Sequence, residues 1–236
     1  MRRGVYVLPA LFTVGNVFCG YLSLDAAVKG RFDYAAILIF AAAVMDGLDG
    51  RVARWTGTTS AFGEQLDSLA DVVSFGIAPA FHVFRWGLAE FGRAGCLVSF
   101  LFVICGACRL ARFNVQIHVT DKRYFVGLPI PSAAGALCGL VWVFTDPAPT
   151  FEIKAAFLGV TAVLSWLMVS TFRYRSFKDV DLRSRRASLI VPLFALVVAA
   201  LWWWRQYALA AVLATYSASA PLVRLFGILR PKPVSA

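Results

Sequence analysis

The sequence predicts an all-α fold, a polytopic transmembrane helix bundle of about eight spans, and three observations lead there. Of its 236 residues 60% are hydrophobic, the mean hydropathy is +0.72, and only 15% are charged. The apolar residues gather in runs long enough for a helix to cross a hydrocarbon core, roughly 17 to 25 residues each. Between the runs lie short polar or basic stretches instead of long loops, which suits one membrane-embedded domain over 1–236.

The runs fall at 7–27, 34–52, 63–87, 94–113, 129–146, 152–172, 188–204 and 206–227. Met1-Arg2-Arg3 leads into the first without a cleavage-like site, so that run reads as a span and not as a signal peptide. The first six make a core over about 7–172, with two further C-terminal helices over about 188–227. An even number of spans puts both termini on one side. That side then receives all of the 23 lysines and arginines except Lys29, Arg31, Arg85, Arg93, Lys154 and Arg205. The positive-inside rule makes it the cytoplasmic side of a cell (inner) membrane. The net charge of +10 is therefore explained by lipid headgroups, without nucleic acid. Cys19, Cys96, Cys105, Cys108 and Cys138 all lie in apolar runs and read as small packing residues, not disulfides or metal ligands.

Taken in order, the first span carries Thr13, Gly15, Asn16 and Gly20 among apolar neighbours. Asn16 suits an interhelical hydrogen bond or, alternatively, a contact to a polar ligand. The second and third spans hold the most unusual stretch, with Asp46, Asp49, Asp67 and Asp71 at or near membrane depth. One charge at a helix centre costs roughly 2.5 to 3.5 kcal/mol, so four without compensation would cost on the order of 10 kcal/mol. Residues three or four apart share a helix face, so each pair points one way and two neighbouring helices present one wall of oxygens. Hard oxygen ligands without His or Cys suit two divalent cations, Mg²⁺ or Mn²⁺. Ion pairing with Arg51 and Arg54 is the competing explanation, but two arginines cannot balance four acids. A diphosphate drawn to such cations needs further positive charge, which Arg54 is placed to supply. Gly47, Gly50, Ala53 and Gly63 lack bulk, so either the two helices or a ligand can approach the backbone there.

The polar turn Thr56 to Ser60 joins these spans, and Gly76 and Pro79 suggest a kink in the third. His82 lies well past the acids and reads as structural or interfacial. The fourth span ends in Arg109, Arg112 and Asn114. The two arginines share a face at the level of the acids and read either as headgroup anchors or as an anion site. Pro129 and Pro131 open the fifth span, where a first turn tolerates them. The basic run from Arg173 to Arg186 links the sixth and seventh against anionic headgroups, and Trp202, Trp203 and Trp204 suit an aromatic belt.

Asp-x2-Asp-Gly-x2-Ala-Arg-x8-Gly-x3-Asp-x3-Asp, from Asp46 to Asp71, resembles the full signature of the CDP-alcohol phosphatidyltransferase family. Leu66 to Gly76, Cys108 to Asn114 and Gly127 to Pro131 are similar to its membrane-embedded, serine-using branch, and the likeness runs from about Val7 to about Gly135. The resemblance implies transfer of a phosphatidyl group from CDP-diacylglycerol to L-serine by a homodimer. By the same resemblance Asp46, Asp49 and Asp67 are metal ligands, and Asp71 is a metal ligand and the general base. Gly50 and Arg54 contact the diphosphate; Gly47, Ala53 and Gly63 leave room for the nucleotide, with Thr13 and Asn16 beside it. Arg109, Arg112 and Asn114 are candidates for binding serine. Glycerol 3-phosphate or inositol phosphate remain alternative acceptors, and a divalent-cation transport path is the alternative from another class.

Overall fold

The computed structural model describes residues 7–57, 60–116, 124–145, 149–175, 207, 210–219 and 221. Helix α1 (Val7–Val28) runs antiparallel into α2 (Phe32–Thr56) through a tight turn in which Gly30 takes φ 72°, a left-handed conformation suited to glycine. The two helices pack along their length. Thr13, Asn16, Gly20, Ser23 and Ala27 fall at helical spacing on the buried face of α1, while Leu11, Val14, Phe18 and Tyr21 are each more than half exposed on the other. Small and polar groups inside with large apolar ones outside is the arrangement expected when the surroundings are lipid.

Gly57, left-handed at φ 63°, ends α2, and the Ser60 hydroxyl accepts the Gly63 N–H to start α3 (Ala61–Asp71). The helix continues through a π-helical segment, Val72–Ile77, into α4 (Ala78–Trp86). Pro79 explains the change of winding. It has no N–H, and its ring crowds the carbonyl four residues back. Just before it, the Ala78 N–H reaches back to the Val73 carbonyl, and the widened turn replaces the expected kink. A Cβ on Gly20 would lie 2.5 Å from the Ser74 Oγ and 2.9 Å from its Cα, so only glycine lets α1 close on this segment.

After a 3₁₀ turn (Leu88–Phe91) come α5 (Arg93–Gln116), strand β1 (Tyr124–Val126), α6 (Ile130–Val143), α7 (Phe151–Val169) and β2 (Arg173–Arg175). The strands pair antiparallel, Phe125 opposite Tyr174. The ribbon is completed by the Gly127 N–H donating to the Phe172 carbonyl at 2.8 Å and the Leu128 N–H to the Leu167 carbonyl at 3.1 Å. Helix α6 is apolar and buried from Ala133 to Gly139 without a break, which makes it the central helix, packed by α2, α4 and α7.

The chain is thus helical, but the expected eight spans are not confirmed. Among the described residues four segments are long and apolar enough to cross a membrane: Ala10–Val28, Ala61–Trp86, Arg93–Val115 and Phe151–Val169. Helix α2 has the length but carries the charges from Asp46 to Arg54. Helix α6 has 14 residues, about 21 Å at 1.5 Å per residue, short of a core of about 30 Å. The seventh run, the tryptophan triplet and most of the basic run lie outside the described residues. Residues 210–219 of the eighth run are helical. Of the cysteines, Cys138 is buried, Cys19 and Cys105 are half-buried, and Cys96 and Cys108 are exposed on the apolar surface; all five are free. His82 is fully buried, its Nδ1 3.4 Å from the Cys138 Sγ and its ring tilted against Phe32, as a structural histidine should be.

Candidate metal and substrate site

The spacing Asp46 to Asp49 is one helical turn on α2, and Asp67 to Asp71 is one turn on α3. Helix α1 lies against both helices. One carboxylate oxygen from each of Asp46, Asp49 and Asp67 lies within 4.8 Å of the others. Asp49 is buried and Asp46 and Asp67 are half-buried. Carboxylates brought this close repel one another unless a cation or a shared proton lies between them. Among the described residues neither Arg51 nor Arg54 comes within 4.0 Å of any of the acids, so neither forms a direct ion pair with them. Asp67 Oδ1 is buried with no hydrogen-bond partner among the described residues. An orphaned carboxylate oxygen facing two further acids fits a hard divalent cation.

Asp71 stands apart from this triplet. It is buried, and its Oδ1 accepts a long, 3.5 Å hydrogen bond from the Asn16 Nδ2. Asn16 is itself fixed at the backbone, its carbonyl accepting the Ser74 hydroxyl at 2.9 Å. Its Oδ1 is buried without a partner among the described residues. Thr13, one turn earlier on α1, donates its hydroxyl to Asp49 Oδ2 at 3.0 Å. Both α1 residues therefore touch the acids, a connection that crosses 36 and 55 residues of chain.

The small residues differ among themselves. Among the described residues a Cβ on Gly47 would meet nothing within 4 Å, so no described helix closes on it and the backbone is open there to a ligand. At Gly50 the nearest atom is the Arg54 Nη1 at 3.5 Å, so the guanidinium folds back over the glycine face of α2. Gly63 meets its own helix cap, Ser60 Oγ, at 3.1 Å, and Ala53 is half-buried.

The α5 candidates separate in the same way. Arg112 donates from Nη1 to the Val169 carbonyl at 2.9 Å and so caps the end of α7. Asn114 donates from Nδ2 to the Ser68 hydroxyl at 2.9 Å, tying α5 to the residue after Asp67. Arg109 alone of the three points inward. It is 7% exposed, its guanidinium lies 5.3 Å from the Phe113 ring centroid, and its Nε is buried without a partner among the described residues. Sequence spacing missed Ser68 and Ser74, the partners of Asn114 and of the Asn16 backbone.

Residues 6–173 match the family model for CDP-alcohol phosphatidyltransferases. The chain is 43% identical over 196 residues, 82% of each chain, to a Helicobacter pylori (strain J99) protein named CDP-diacylglycerol--serine O-phosphatidyltransferase. A Bacillus subtilis protein of the same name is 33% identical over 171 residues, 72% of this chain and 91% of its own. An archaetidylserine synthase of Methanothermobacter thermautotrophicus is 39% identical over 169 residues, 71% of this chain and 69% of its own.

Proposed function

The chain belongs to the CDP-alcohol phosphatidyltransferase family, and on that premise we propose that it moves the phosphatidyl group of CDP-diacylglycerol onto L-serine, releasing CMP. The observation that carries this reading is the meeting of Asp46, Asp49 and Asp67 within 4.8 Å, beside an open glycine face and a separate buried carboxylate, Asp71. The choice of serine over a phosphorylated alcohol rests on the names of the relatives.

Asp46, Asp49 and Asp67, with Asp71 beside them, would hold two divalent cations, Mg²⁺ or Mn²⁺. When bound, these supply charge neutralisation for the acids and electrostatic stabilisation of the diphosphate and of the leaving phosphate. The protein groups do the rest. The bare backbone at Gly47 and Gly50 admits the nucleotide, with Gly63 and Ala53 keeping bulk away. Arg54, folded over Gly50, adds its cation to the diphosphate. Thr13 holds Asp49 by its hydroxyl, and Asn16 holds Asp71. Asp71 takes the proton from the serine hydroxyl as that oxygen forms its bond to the phosphorus bearing diacylglycerol. The bond from phosphorus to the CMP oxygen breaks in the same displacement. Arg109 receives the serine carboxylate, because Arg112 is committed to the end of α7 and Asn114 to Ser68. These last two support the site from behind.

The acids sit at the end of the bundle that the positive-inside rule assigns to the cytoplasm, where free serine would arrive. The test is direct. Purified protein, CDP-diacylglycerol and labelled serine should give labelled lipid and CMP in equal amounts, and a chelator should stop both until Mg²⁺ or Mn²⁺ is restored. Competition with unlabelled glycerol 3-phosphate and inositol phosphate should leave serine labelling unchanged. Labelling that resists chelation, or that glycerol 3-phosphate abolishes, overturns the reading.

A further inference from the structure

Helix α6 carries Gly135 and Gly139, four residues apart on one face, and the helical residues 210–219 seat in the notch they leave. A Cβ on Gly139 would lie 3.2 Å from the Ala210 Cα, and one on Gly135 would lie 2.7 Å from the Leu213 Cδ1. Ala210, Leu213 and Tyr216 follow one another at three-residue spacing, so the contact that seats the helix also directs Tyr216 inward. Tyr216 packs half-buried against the main core, and its phenol falls within electrostatic reach of the Arg109 guanidinium. Asp71 is within reach of the same guanidinium.

A guanidinium buried to this degree needs acceptors on most of its N–H groups, or its burial is strongly unfavourable. Arg109 makes no ion pair within 4.0 Å among the described residues, and its Nε has no partner there. Its planar fork suits a carboxylate bound through two parallel hydrogen bonds, but only when the plane of the fork is fixed. The Phe113 ring restrains one face. We infer that Tyr216 is a positioning residue for the acceptor: its hydroxyl accepts from Arg109 and sets the plane in which the remaining N–H groups meet the carboxylate of an amino-acid acceptor. This deepens the proposed transfer to serine and rests on it. It also gives the C-terminal helix a share in acceptor binding, outside the acidic motif.

The experiment uses the full-length protein in mixed micelles with CDP-diacylglycerol. Tyr216→Phe keeps the ring and the packing and removes only the hydroxyl. A hydrogen bond to a charged group contributes enough that the serine KM should rise about 10-fold. The kcat and the KM for CDP-diacylglycerol should stay within about twofold. Arg109→Gln should raise the serine KM by itself, and adding Tyr216→Phe to it should change that KM less than about twofold, because one interaction cannot be lost twice. A role in helix packing alone would lower thermal stability and would act equally in both backgrounds. An unmoved serine KM in Tyr216→Phe, or an undiminished effect beside Arg109→Gln, overturns the inference while the unaltered protein still labels serine. Failure of the unaltered protein to label serine overturns the functional reading itself, and this inference with it.

Discussion

Replacing Asp67 by Asn should make the cation-free protein more stable and the enzyme inactive. Asp67 meets two other carboxylates, with one oxygen from each of the three inside 4.8 Å of the others. Two unit charges at that separation repel by about 3.5 kcal/mol at an effective dielectric constant of about 20. Asp67→Asn removes two such pairs and keeps the shape of the side chain. Proton sharing and relaxation absorb most of the gain, so the expected net stabilisation without cations is about 1 to 2 kcal/mol, or roughly 2 to 8 °C in melting temperature for a chain of this size. The assay is thermal unfolding in detergent, in chelator and at several concentrations of Mg²⁺ or Mn²⁺, alongside CMP release. The unaltered protein should gain stability as cation is added, following the logarithm of ligand concentration once the site fills. The variant should start higher, gain little, and release no CMP above background. A variant that melts lower in chelator, or that keeps the full cation increment, would refute the claim that these three acids share bound cations.

Asp71→Asn should leave folding and CDP-diacylglycerol binding intact and lower kcat by about 10² to 10⁴-fold, the range for loss of a general base; turnover like that of the unaltered protein removes Asp71 from the role. Gly47→Leu fills open space and touches no helix, so the KM for CDP-diacylglycerol should rise with no change in melting temperature. Gly20→Ala should destabilise by about 1 to 3 kcal/mol through overpacking against Ser74, measured by thermal unfolding. Arg112→Ala should lower stability by about 1 kcal/mol as the Val169 carbonyl loses its donor, with the serine KM unchanged; a large rise in that KM would return Arg112 to the acceptor site.

The site was legible wherever its geometry follows from helical period. One turn separates Asp46 from Asp49 and Asp67 from Asp71, and a short polar turn between their helices forces the two faces together. Partner choice was less legible, because an arginine at the end of a span has many acceptors within reach. Nothing in the spacing of Arg109 and Arg112 says that one turns inward and the other caps α7. Nor does spacing show that Asn114 meets Ser68 on α3. Hydropathy also misplaced the ends of the fifth run, for a related reason. It sums apolar character along 129–146, but Pro129 delays the helix to Ile130 and the chain leaves it at Phe144, so α6 is shorter than the run that encodes it. The run 34–52 reads as a span, yet α2, which continues to Thr56 through the charges from Asp46 to Arg54, is not among the segments apolar enough to cross.

The wide turn at Val72–Ile77 has one more effect. Each residue added to a helix rotates everything after it by about 100°, so a turn that holds one residue more than the regular winding sets the outer half of this long segment at a new angle. The acids before it and the imidazole and indole after it are aimed independently, each at its own neighbours. Deleting one residue there would swing His82 away from Cys138 while Asp67 and Asp71 kept their direction. The long rod from Ala61 to Trp86 is thereby two instruments on one axis, tuned separately for chemistry at one end and for packing at the other.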